Sequence, residues 1–462
     1  MAPHTLTPPH TPSPTPVHML RSWLRLYPVG MLVLWSLTLY VTVVSLATLW
    51  QALAFRLAGG AITGGGKESD PLYELGTSLG FWGVIYFGLN FMLATRWRWV
   101  ETLFGGLDRV YQAHNLVGRL AMSLLVLHGG ILVFQALPDR ALLGIYLLPG
   151  VDWGYTTGVA GLVLLVLLVF LTIWAKLPYA RWLASHKWMG VPYILGGMHA
   201  ILLQGDWYMI TITAMGSYAW LYMLVWYPWR GARRGALAEV RVRSQVTELQ
   251  VRLDQPVPSQ PGQFVFLAIQ GATGRIEPEV HPFSISGRPD AQTIRISAKA
   301  LGDYTRTLPQ ACPGDRVALW GPYGGFGKTY LGQGGDLVWV AGGIGVTPFL
   351  DLLRHELQQG TSCDRRIAFV WSVARAEDAV YQDEIEAACA QLPQIAFHLH
   401  ITATDGLLTA KKLASLRGGQ GAEGASFMLC GPPTMMHALR SQLRALGVPG
   451  VAIVMEEFGL RP

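Results

Sequence analysis

The sequence predicts a membrane bundle of six helices followed by two soluble domains, an antiparallel β-barrel and an α/β domain. Six apolar runs fill the first half of the chain, at roughly 28–54, 76–95, 110–135, 156–175, 186–204 and 208–228. From about residue 236, short alternating strands are separated by Pro and Gly turns. From about residue 336, an apolar strand leads through a glycine-rich turn into an amphipathic helix. We expect a tail at 1–22, the bundle at 23–230, the barrel at 235–333 and the α/β domain at 334–462.

The composition suits a membrane protein with a soluble appendage. Of 462 residues, 51% are hydrophobic and 14% are charged, and the net charge of +6 comes mostly from Lys and Arg beside the apolar runs. Lys and Arg are enriched at the cytoplasmic ends of membrane helices. We therefore expect both termini and the soluble domains in the cytoplasm, and we expect the helices to lie in a bacterial inner membrane. No basic run suits nucleic acid, which excludes that class. The four cysteines lack a CxxC spacing and are expected to be reduced. The Pro- and Thr-rich tail is expected to be disordered.

Two apolar runs each carry a pair of histidines. His114 and His128 are 14 residues apart on the third run, so they project from nearly the same helix face, about 21 Å apart along the axis. His186 and His199 are 13 residues apart on the fifth run. Two stacked bis-histidine sites suit haem iron, because neutral imidazole is an axial haem ligand. The alternative for any single histidine is a hydrogen-bonded packing role.

The spacing of the second pair predicts an irregular helix. Thirteen residues of ideal helix turn to about 220°, which would put His186 and His199 on different faces. Gly190 and Pro192 lie between them, and proline commonly kinks a helix. We therefore expect a distorted turn between the two histidines.

The barrel contains the hexapeptide His281-Pro282-Phe283-Ser284-Ile285-Ser286. It resembles the flavin motif of the ferredoxin-reductase superfamily, in the variant found in NADPH oxidases and ferric reductases. The resemblance implies that Phe283 packs on the isoalloxazine of FAD and that Ser284 approaches flavin N5. His281 stands where soluble members usually have an arginine that holds the pyrophosphate. The FAD-binding candidates of this domain are His281, Pro282, Phe283, Ser284 and Ser286, together with Lys299, Gly302 and Thr305 of the family's second flavin segment.

The glycine-rich turn of the α/β domain resembles the nicotinamide nucleotide turn of the same superfamily. Glycines let the backbone approach a pyrophosphate at a helix N-terminus. The resemblance also implies that Arg375 reads the 2′-phosphate of NADPH, with NADH also possible, whereas the alternative is a surface arginine at a strand end. Cys430, Gly431 and Pro432 match the segment beside the nicotinamide. The residues of the turn that match are Gly342, Gly343, Gly345, Thr347 and Pro348.

Phe458 matches the C-terminal aromatic that covers the flavin in this superfamily, although four residues follow it here. A core position on the last strand is the alternative. Arg56 matches an arginine that the oxidases place over the outer haem, and a plain positive flank is the alternative. Arg119 is a candidate for a haem propionate, and Tyr193 or Trp188 for a position between the haems. Each also suits a packing role.

These features together predict electron transfer from cytoplasmic NADPH through FAD and two b-type haems to an acceptor on the outer side. The inner haem would lie on His114 and His186, and the outer haem on His128 and His199. Leu132 occupies the position where eukaryotic oxidases that reduce oxygen have a further histidine. Dioxygen, giving superoxide, is the favoured acceptor, and a ferric or cupric chelate is the alternative.

An electron-relay subunit that serves a quinone or a periplasmic protein is a third possibility. A non-redox carrier with a vestigial reductase domain is disfavoured by the full set of motifs. Membrane lipid is the expected surrounding partner. No obligatory protein partner is visible in the sequence, and constitutive activity is expected because no calcium-binding loop is seen.

Overall fold

The computed structural model describes residues 28–58, 71–175, 177–271, 276, 278–332, 335–359, 365–417, 421–422 and 424–456. In these ranges a helical membrane region is followed by a β-barrel and then by a parallel sheet flanked by helices. The predicted fold class is therefore confirmed.

The helical region contains ten α-helices within the described residues. They are α1 (Val29–Leu57), α2 (Pro71–Ala94), α3 (Arg98–Phe104), α4 (Leu107–Ala136), α5 (Arg140–Leu147), α6 (Trp153–Ile173), α7 (Tyr179–Lys187), α8 (Gly190–Gln204), α9 (Trp207–Leu221) and α10 (Tyr227–Arg230). A π-helical segment, Tyr222–Trp226, joins the last two. Asp139 and Asp152 cap α5 and α6 by accepting hydrogen bonds from the first free backbone N–H groups of each helix.

Five helical spans of the described residues are long and apolar enough to cross a membrane. They are Val29–Phe55, Pro71–Ala94, Leu107–Ala136, Trp153–Ile173 and Trp207–Trp226. The fifth predicted run differs, because it forms two helices that meet at Trp188–Met189. The second of these, α8, has 15 residues, or about 22 Å of helix, which is shorter than the hydrocarbon core. The distorted turn expected between His186 and His199 is thus confirmed.

The barrel is a closed antiparallel sheet of six strands in the order β1-β2-β5-β4-β3-β6. The strands are β1 (Arg233–Arg243), β2 (Val246–Leu253), β3 (Phe264–Gln270), β4 (His281–Gly287), β5 (Thr293–Lys299) and β6 (Arg316–Tyr323). Alternate aliphatic residues of these strands fill the interior. A short helix, α11 (Asp303–Thr307), follows β5.

The last domain has a five-stranded parallel sheet in the order β11-β10-β7-β8-β9. The strands are β7 (Leu337–Gly342), β8 (Ile367–Val373), β9 (Ile395–Ile401), β10 (Ser426–Cys430) and β11 (Ile453–Glu456). Helices described around them are α12 (Phe326–Gly332), α13 (Thr347–Gln359), α14 (Gln382–Gln391), α15 (Thr402–Asp405), α16 (Ala410–Ser415) and α17 (Pro433–Ala445). Near-continuous apolar strands agree with burial on both faces of the sheet.

Side chains of the barrel and the α/β domain are joined by buried polar contacts. The Asp351 carboxylate on α13 accepts hydrogen bonds from Arg288 Nε at 3.1 Å and from the Gly262 backbone at 2.9 Å. Tyr381 donates to Ser297 Oγ at 2.8 Å, and Arg354 donates to the Ser286 carbonyl. These contacts fix the orientation of the barrel against the carboxyl ends of the parallel strands.

Candidate functional site

The four predicted histidines form two facing pairs inside the helical bundle. The ring centres of His114 on α4 and His186 on α7 are 6.1 Å apart. Those of His128 on α4 and His199 on α8 are 6.0 Å apart. The interplanar angles are similar, 68° and 66°. The helix break at Trp188–Met189 is what allows α7 and α8 each to present one histidine towards α4.

The separation of the rings fits one metal ion between two imidazoles. An imidazole nitrogen binds a metal at about 2 Å, and its ring centre lies about 1 Å further back, so ligands on opposite sides of one ion have ring centres about 6 Å apart. Among the described residues, no group of three or more His, Cys, Asp or Glu side chains is arranged to hold a metal. Each pair could therefore supply two imidazole nitrogens to one metal ion, and a group that brings the remaining donors itself, such as a haem, would fit this set.

Hydrogen bonds to Nδ1 orient three of the four imidazoles. His114 Nδ1 is 3.1 Å from the Asn90 carbonyl oxygen, His128 Nδ1 is 2.7 Å from that of Gly76, and His199 Nδ1 is 2.8 Å from that of Gly154. His186 Nδ1 lies 3.5 Å from Thr172 Oγ1. An Nδ1–H that donates to a carbonyl leaves Nε2 unprotonated, which is the tautomer that can bind a metal.

Paired glycines on α2 and α6 make room for His128 and His199. Gly76 and Gly154 accept the Nδ1 hydrogen bonds, and Gly80 and Gly158 lie one turn further along the same helices. A Cβ on Gly80 would lie 2.6 Å from His128 Nδ1, and one on Gly158 would lie 2.5 Å from His199 Nδ1. The same Gly-x-x-x-Gly spacing thus serves both rings of this pair. This spacing marks close approach in membrane helices and was visible in the sequence, but it was not among the predicted site features.

The His114–His186 pair lies on the side of the bundle that faces the barrel. Trp182 stacks on His186, with ring centres 5.4 Å apart. Tyr179, on the same helix, has its ring centre 5.1 Å from that of His281 at the start of β4. The other face of His281 stacks on Tyr304 at 4.1 Å. The flavin motif and this histidine pair are therefore neighbours.

His281 itself is held by groups of the protein. Its Nε2 is 2.9 Å from Glu279 Oε2, and its ring is enclosed between two tyrosines. Burial lowers its pKa, although Glu279 opposes the shift. Phe283 and Ser284 are both buried in the barrel wall, and Ser286 is fully buried, where its Oγ accepts a hydrogen bond from Ser297 Oγ at 3.0 Å. Ser286 thus belongs to the contact between the domains.

The second flavin segment lies at the edge between the barrel and the α/β domain. Lys299 Nζ donates to Asp378 Oδ1 at 2.8 Å, and this bond lowers the pKa of Asp378. Thr305 Oγ1 accepts from the backbone N–H groups of Leu301 and Gly302, which fixes the turn into α11. Lys299 therefore connects its segment to the loop that follows Arg375.

The nucleotide turn and the Cys430 segment meet at the carboxyl ends of β7 and β10. A Cβ on Gly345 would lie 2.3 Å from the Cys430 carbonyl oxygen, so this approach requires glycine. Gly343 has φ +54°, and its carbonyl accepts a hydrogen bond from Trp371 Nε1. Thr347 Oγ1 donates to the Ile344 carbonyl. Ligands of open α/β sheets bind at this edge.

Glu456 is a further residue at this edge that the sequence analysis did not single out. It pairs with Cys430 across β10 and β11, and its Oε2 is buried without a hydrogen-bond partner among the described residues. Burial, together with Asp108 and Glu101 of the helical region, raises its pKa well above the ordinary range. Burial likewise raises the pKa of Cys430. A buried acceptor with no partner agrees with a ligand at this edge.

The remaining candidate residues differ in burial and in hydrogen-bond partners. Arg375 is exposed and pairs with Glu377 at 3.2 Å. Arg119 is exposed, Trp188 is exposed, and Tyr193 is buried with its hydroxyl donating to the Ile212 carbonyl. Arg56 lies on α1, and Phe458 lies outside the described residues.

Comparison with protein families gives three matches in the order of the domains. Residues 79–197 match the ferric reductase like transmembrane component. Residues 235–324 match an FAD-binding domain, and residues 339–441 match an oxidoreductase NAD-binding domain. The chain thus joins a ferric reductase-like transmembrane component to FAD-binding and NAD-binding domains, which is the domain content of a membrane oxidoreductase that uses FAD and a pyridine nucleotide.

Individual relatives cover part of this ferric reductase-like chain. The electron transfer component of toluate 1,2-dioxygenase from Pseudomonas putida is 26% identical over 205 residues, which is 43% of this chain and 58% of that protein. A flavohemoprotein from Pseudomonas putida is 30% identical over 250 residues, 50% of this chain and 60% of the relative. The chain thus spans about three fifths of the length of these two relatives. The FAD/NAD-binding domain of nitric oxide dioxygenase from Vibrio cholerae is 23% identical, with a TM-score of 0.42 over 49% of this chain and 98% of that one.

Proposed function

We propose that the protein carries electrons from cytoplasmic NADPH, through FAD and two b-type haems, to dioxygen on the outer side of a bacterial inner membrane, and that the product is superoxide. The observation that carries the proposal is the arrangement of two histidine pairs, each with ring centres about 6 Å apart, one above the other in the bundle. The pair on the barrel side is the entry point, and the His128–His199 pair is the exit.

On the donor side, the protein binds and orients the nucleotide. The turn from Gly342 to Pro348 offers backbone N–H groups to the pyrophosphate, and Arg375 reaches the 2′-phosphate of NADPH. Phe283 and Ser284 would contact the flavin, and Cys430 would lie beside the nicotinamide. Phe458, which lies outside the described residues, would cover the flavin face when no nicotinamide is bound.

FAD accepts a hydride and releases single electrons, and haem iron takes up and passes on one electron at a time. The contribution of the bundle is orientation. Carbonyls of Asn90, Gly76 and Gly154 orient His114, His128 and His199 and leave their Nε2 atoms available. His114 and His186 would then hold the inner haem, and His128 and His199 would hold the outer one. The two sites are about 21 Å apart along α4.

The outer surface supports the choice of dioxygen. Among the described residues, a shallow cavity of about 290 Å³ lies between α2, the end of α8 and the start of α9, lined by Glu74, Thr77, Ser78, Phe81, Gln204 and Tyr208. Such an open depression does not enclose a bulky chelate, which supports a small acceptor. Leu132 contacts Gly76 of α2, so this position serves helix packing.

The experiment is aerobic reduction of cytochrome c by the purified, FAD- and haem-loaded protein with NADPH, with and without superoxide dismutase. We expect dismutase to abolish the signal. Reduction that persists unchanged would refute superoxide as the carrier. Ferric citrate and a soluble quinone added under anaerobic conditions then separate the two alternatives, a chelate reductase and a relay subunit.

A further inference from the structure

Arg96 lies where the helical region meets the barrel. It follows α2 in the connection to α3 and has φ +56°. Its Nε donates to the Tyr111 hydroxyl at 2.8 Å, and Nη1 lies 3.5 Å from the Tyr227 hydroxyl. Its guanidinium carbon lies 3.8 Å from the ring centre of Phe266. The side chain therefore contacts α4, α10 and β3 at once.

The polar contacts continue from Arg96 into the barrel. The hydroxyls of Tyr227 and Tyr323 are 2.8 Å apart, and the ring of Tyr323 is 5.8 Å from that of Phe266. The tyrosines and the phenylalanine thus surround the guanidinium from both domains. We call Arg96, Tyr111, Tyr227, Phe266 and Tyr323 the junction cluster.

The positive charge of Arg96 has no counter-charge in this cluster. No described carboxylate lies within 4.0 Å of its guanidinium, the limit for an ion pair, and the groups that contact it are neutral hydroxyls and aromatic rings. A half-buried charge without an opposite partner is unfavourable for folding by itself. Its field at the junction is only partly screened by water, because aromatic rings cover the rest of the guanidinium.

The cluster spans the gap between the two candidate redox segments. Tyr111 is one helical turn before His114 on α4, and residues three apart share a helix face. Phe266 is two residues from Phe264, which pairs with Ser284 of the flavin motif across β3 and β4. The rings of Phe264 and Phe266 are 5.9 Å apart. Arg96 thus connects the strand beside the flavin motif to the helix that carries the inner histidine.

We propose that Arg96 is a positioning residue for electron transfer from the flavin domain to the inner haem, and this rests on the function proposed above. Its guanidinium holds Phe266 and Tyr111 at a fixed separation, and its charge favours arrival of the electron on the bundle side of the junction. Reoxidation of one reduced flavin, FADH⁻, would take two such transfers, and in each of them one electron would convert one ferric ion to ferrous. The single proton of FADH⁻ would pass to the solvent once over the two transfers, and no bond between the two domains would form or break.

The test compares Arg96→Met, Arg96→Lys and the control Arg365→Met. Arg365 lies over the ring of Tyr330 at 4.4 Å in a similar contact, away from the junction. Anaerobic stopped-flow mixing with NADPH records flavin bleaching and haem reduction separately. For Arg96→Met we expect flavin reduction within about two-fold of wild type, haem reduction slower by about ten-fold, and a lower midpoint potential of the inner haem. Arg96→Lys restores the potential more fully than the rate, because it keeps the charge but loses the planar fork.

A second measurement does not need the loaded enzyme. Hydrogen–deuterium exchange of β3 and β6 in the haem-free protein is expected to rise in Arg96→Met and to stay unchanged in Arg365→Met. Haem reduction within two-fold of wild type and an unchanged potential in Arg96→Met would overturn the proposal, as would an equal loss of flavin and haem reduction. If wild-type protein binds no haem, the proposed function fails instead, whereas the exchange result still decides whether Arg96 holds the junction.

Discussion

Gly158→Ala is a test of how the outer histidines are held. The new Cβ would lie 2.5 Å from His199 Nδ1, whereas ordinary contacts begin at 3.4 Å, so the ring would have to retreat by about 0.9 Å. The 2.8 Å hydrogen bond to the Gly154 carbonyl would then lengthen to about 3.7 Å, beyond hydrogen-bond range. Loss of such a partner of a ligating histidine weakens metal affinity by about 10- to 100-fold.

The energetic terms of this substitution have opposite signs. Overpacking costs about 1–3 kcal/mol and the lost hydrogen bond about 1 kcal/mol, while alanine in place of glycine favours the helix by about 1 kcal/mol. The expected net effect is a loss of the proposed outer haem from a bundle that remains folded. Gly80→Ala is expected to act in the same way through His128, because its Cβ would lie 2.6 Å from Nδ1.

The assay is the haem-to-flavin ratio of the purified protein, measured by absorbance, with a potentiometric titration of the haems. Gly144→Ala is the matched control, since its Cβ would meet only Leu148 Cδ1, at 3.7 Å. We expect two haems per flavin in the control and close to one in Gly158→Ala. Two haems with unchanged potentials in Gly158→Ala would refute the role assigned to the glycine.

Three further predictions follow from the same contacts. His199→Ala is expected to lose the outer haem while NADPH still reduces the flavin at the wild-type rate; loss of both activities would mean that the domains were assigned wrongly. Arg375→Ala is expected to raise the KM for NADPH by about ten-fold and to leave that for NADH within two-fold, and equal changes would count against the 2′-phosphate role. The raised pKa of Glu456 makes the folded state less stable as pH rises from about 4 through that pKa, because the unfolded chain ionises first. Glu456→Gln is expected to remove this decline in the thermal unfolding midpoint, Glu386→Gln is expected to keep it, and an identical pH profile in Glu456→Gln and wild type would contradict the assignment.

The histidine pairs could be predicted from the sequence, because the residues that place each histidine lie close to it in the chain. Spacing along one helix places His114 and His128 on one face, and Pro192 with Gly190 predicts the break that brings His186 to the same partner. The strand, turn and helix around Gly342 to Thr347 were predicted for the same reason, since each follows from residues next to one another in the chain.

Contacts between segments that are far apart in the chain could not be predicted from the sequence in this way. Lys299 was predicted to bind FAD, and nothing in its surroundings in the sequence indicates its pairing with Asp378, 79 residues later. The enclosure of His281 between Tyr179 and Tyr304 likewise depends on three separate elements. The roles of Lys299 and His281 toward a flavin stay predictions. Glu456 was overlooked because a glutamate at a strand end carries no signal until Cys430 is placed beside it.

The hydrogen bonds between the histidines of α4 and the carbonyl groups of α2 constrain the length of α2, although α2 carries none of the four histidines. The two acceptors, Gly76 and Asn90, are 14 residues apart, the same interval that separates His128 from His114 on the antiparallel helix. A single inserted residue between Gly76 and Asn90 would turn one carbonyl by about 100° and shift it by about 1.5 Å, while leaving every histidine in place. The number of residues of α2 between Gly76 and Asn90 thus has to match the distance between the two histidine pairs along the helix axis. The α2 helix in this interval should tolerate substitutions at lipid-facing positions but no insertion or deletion.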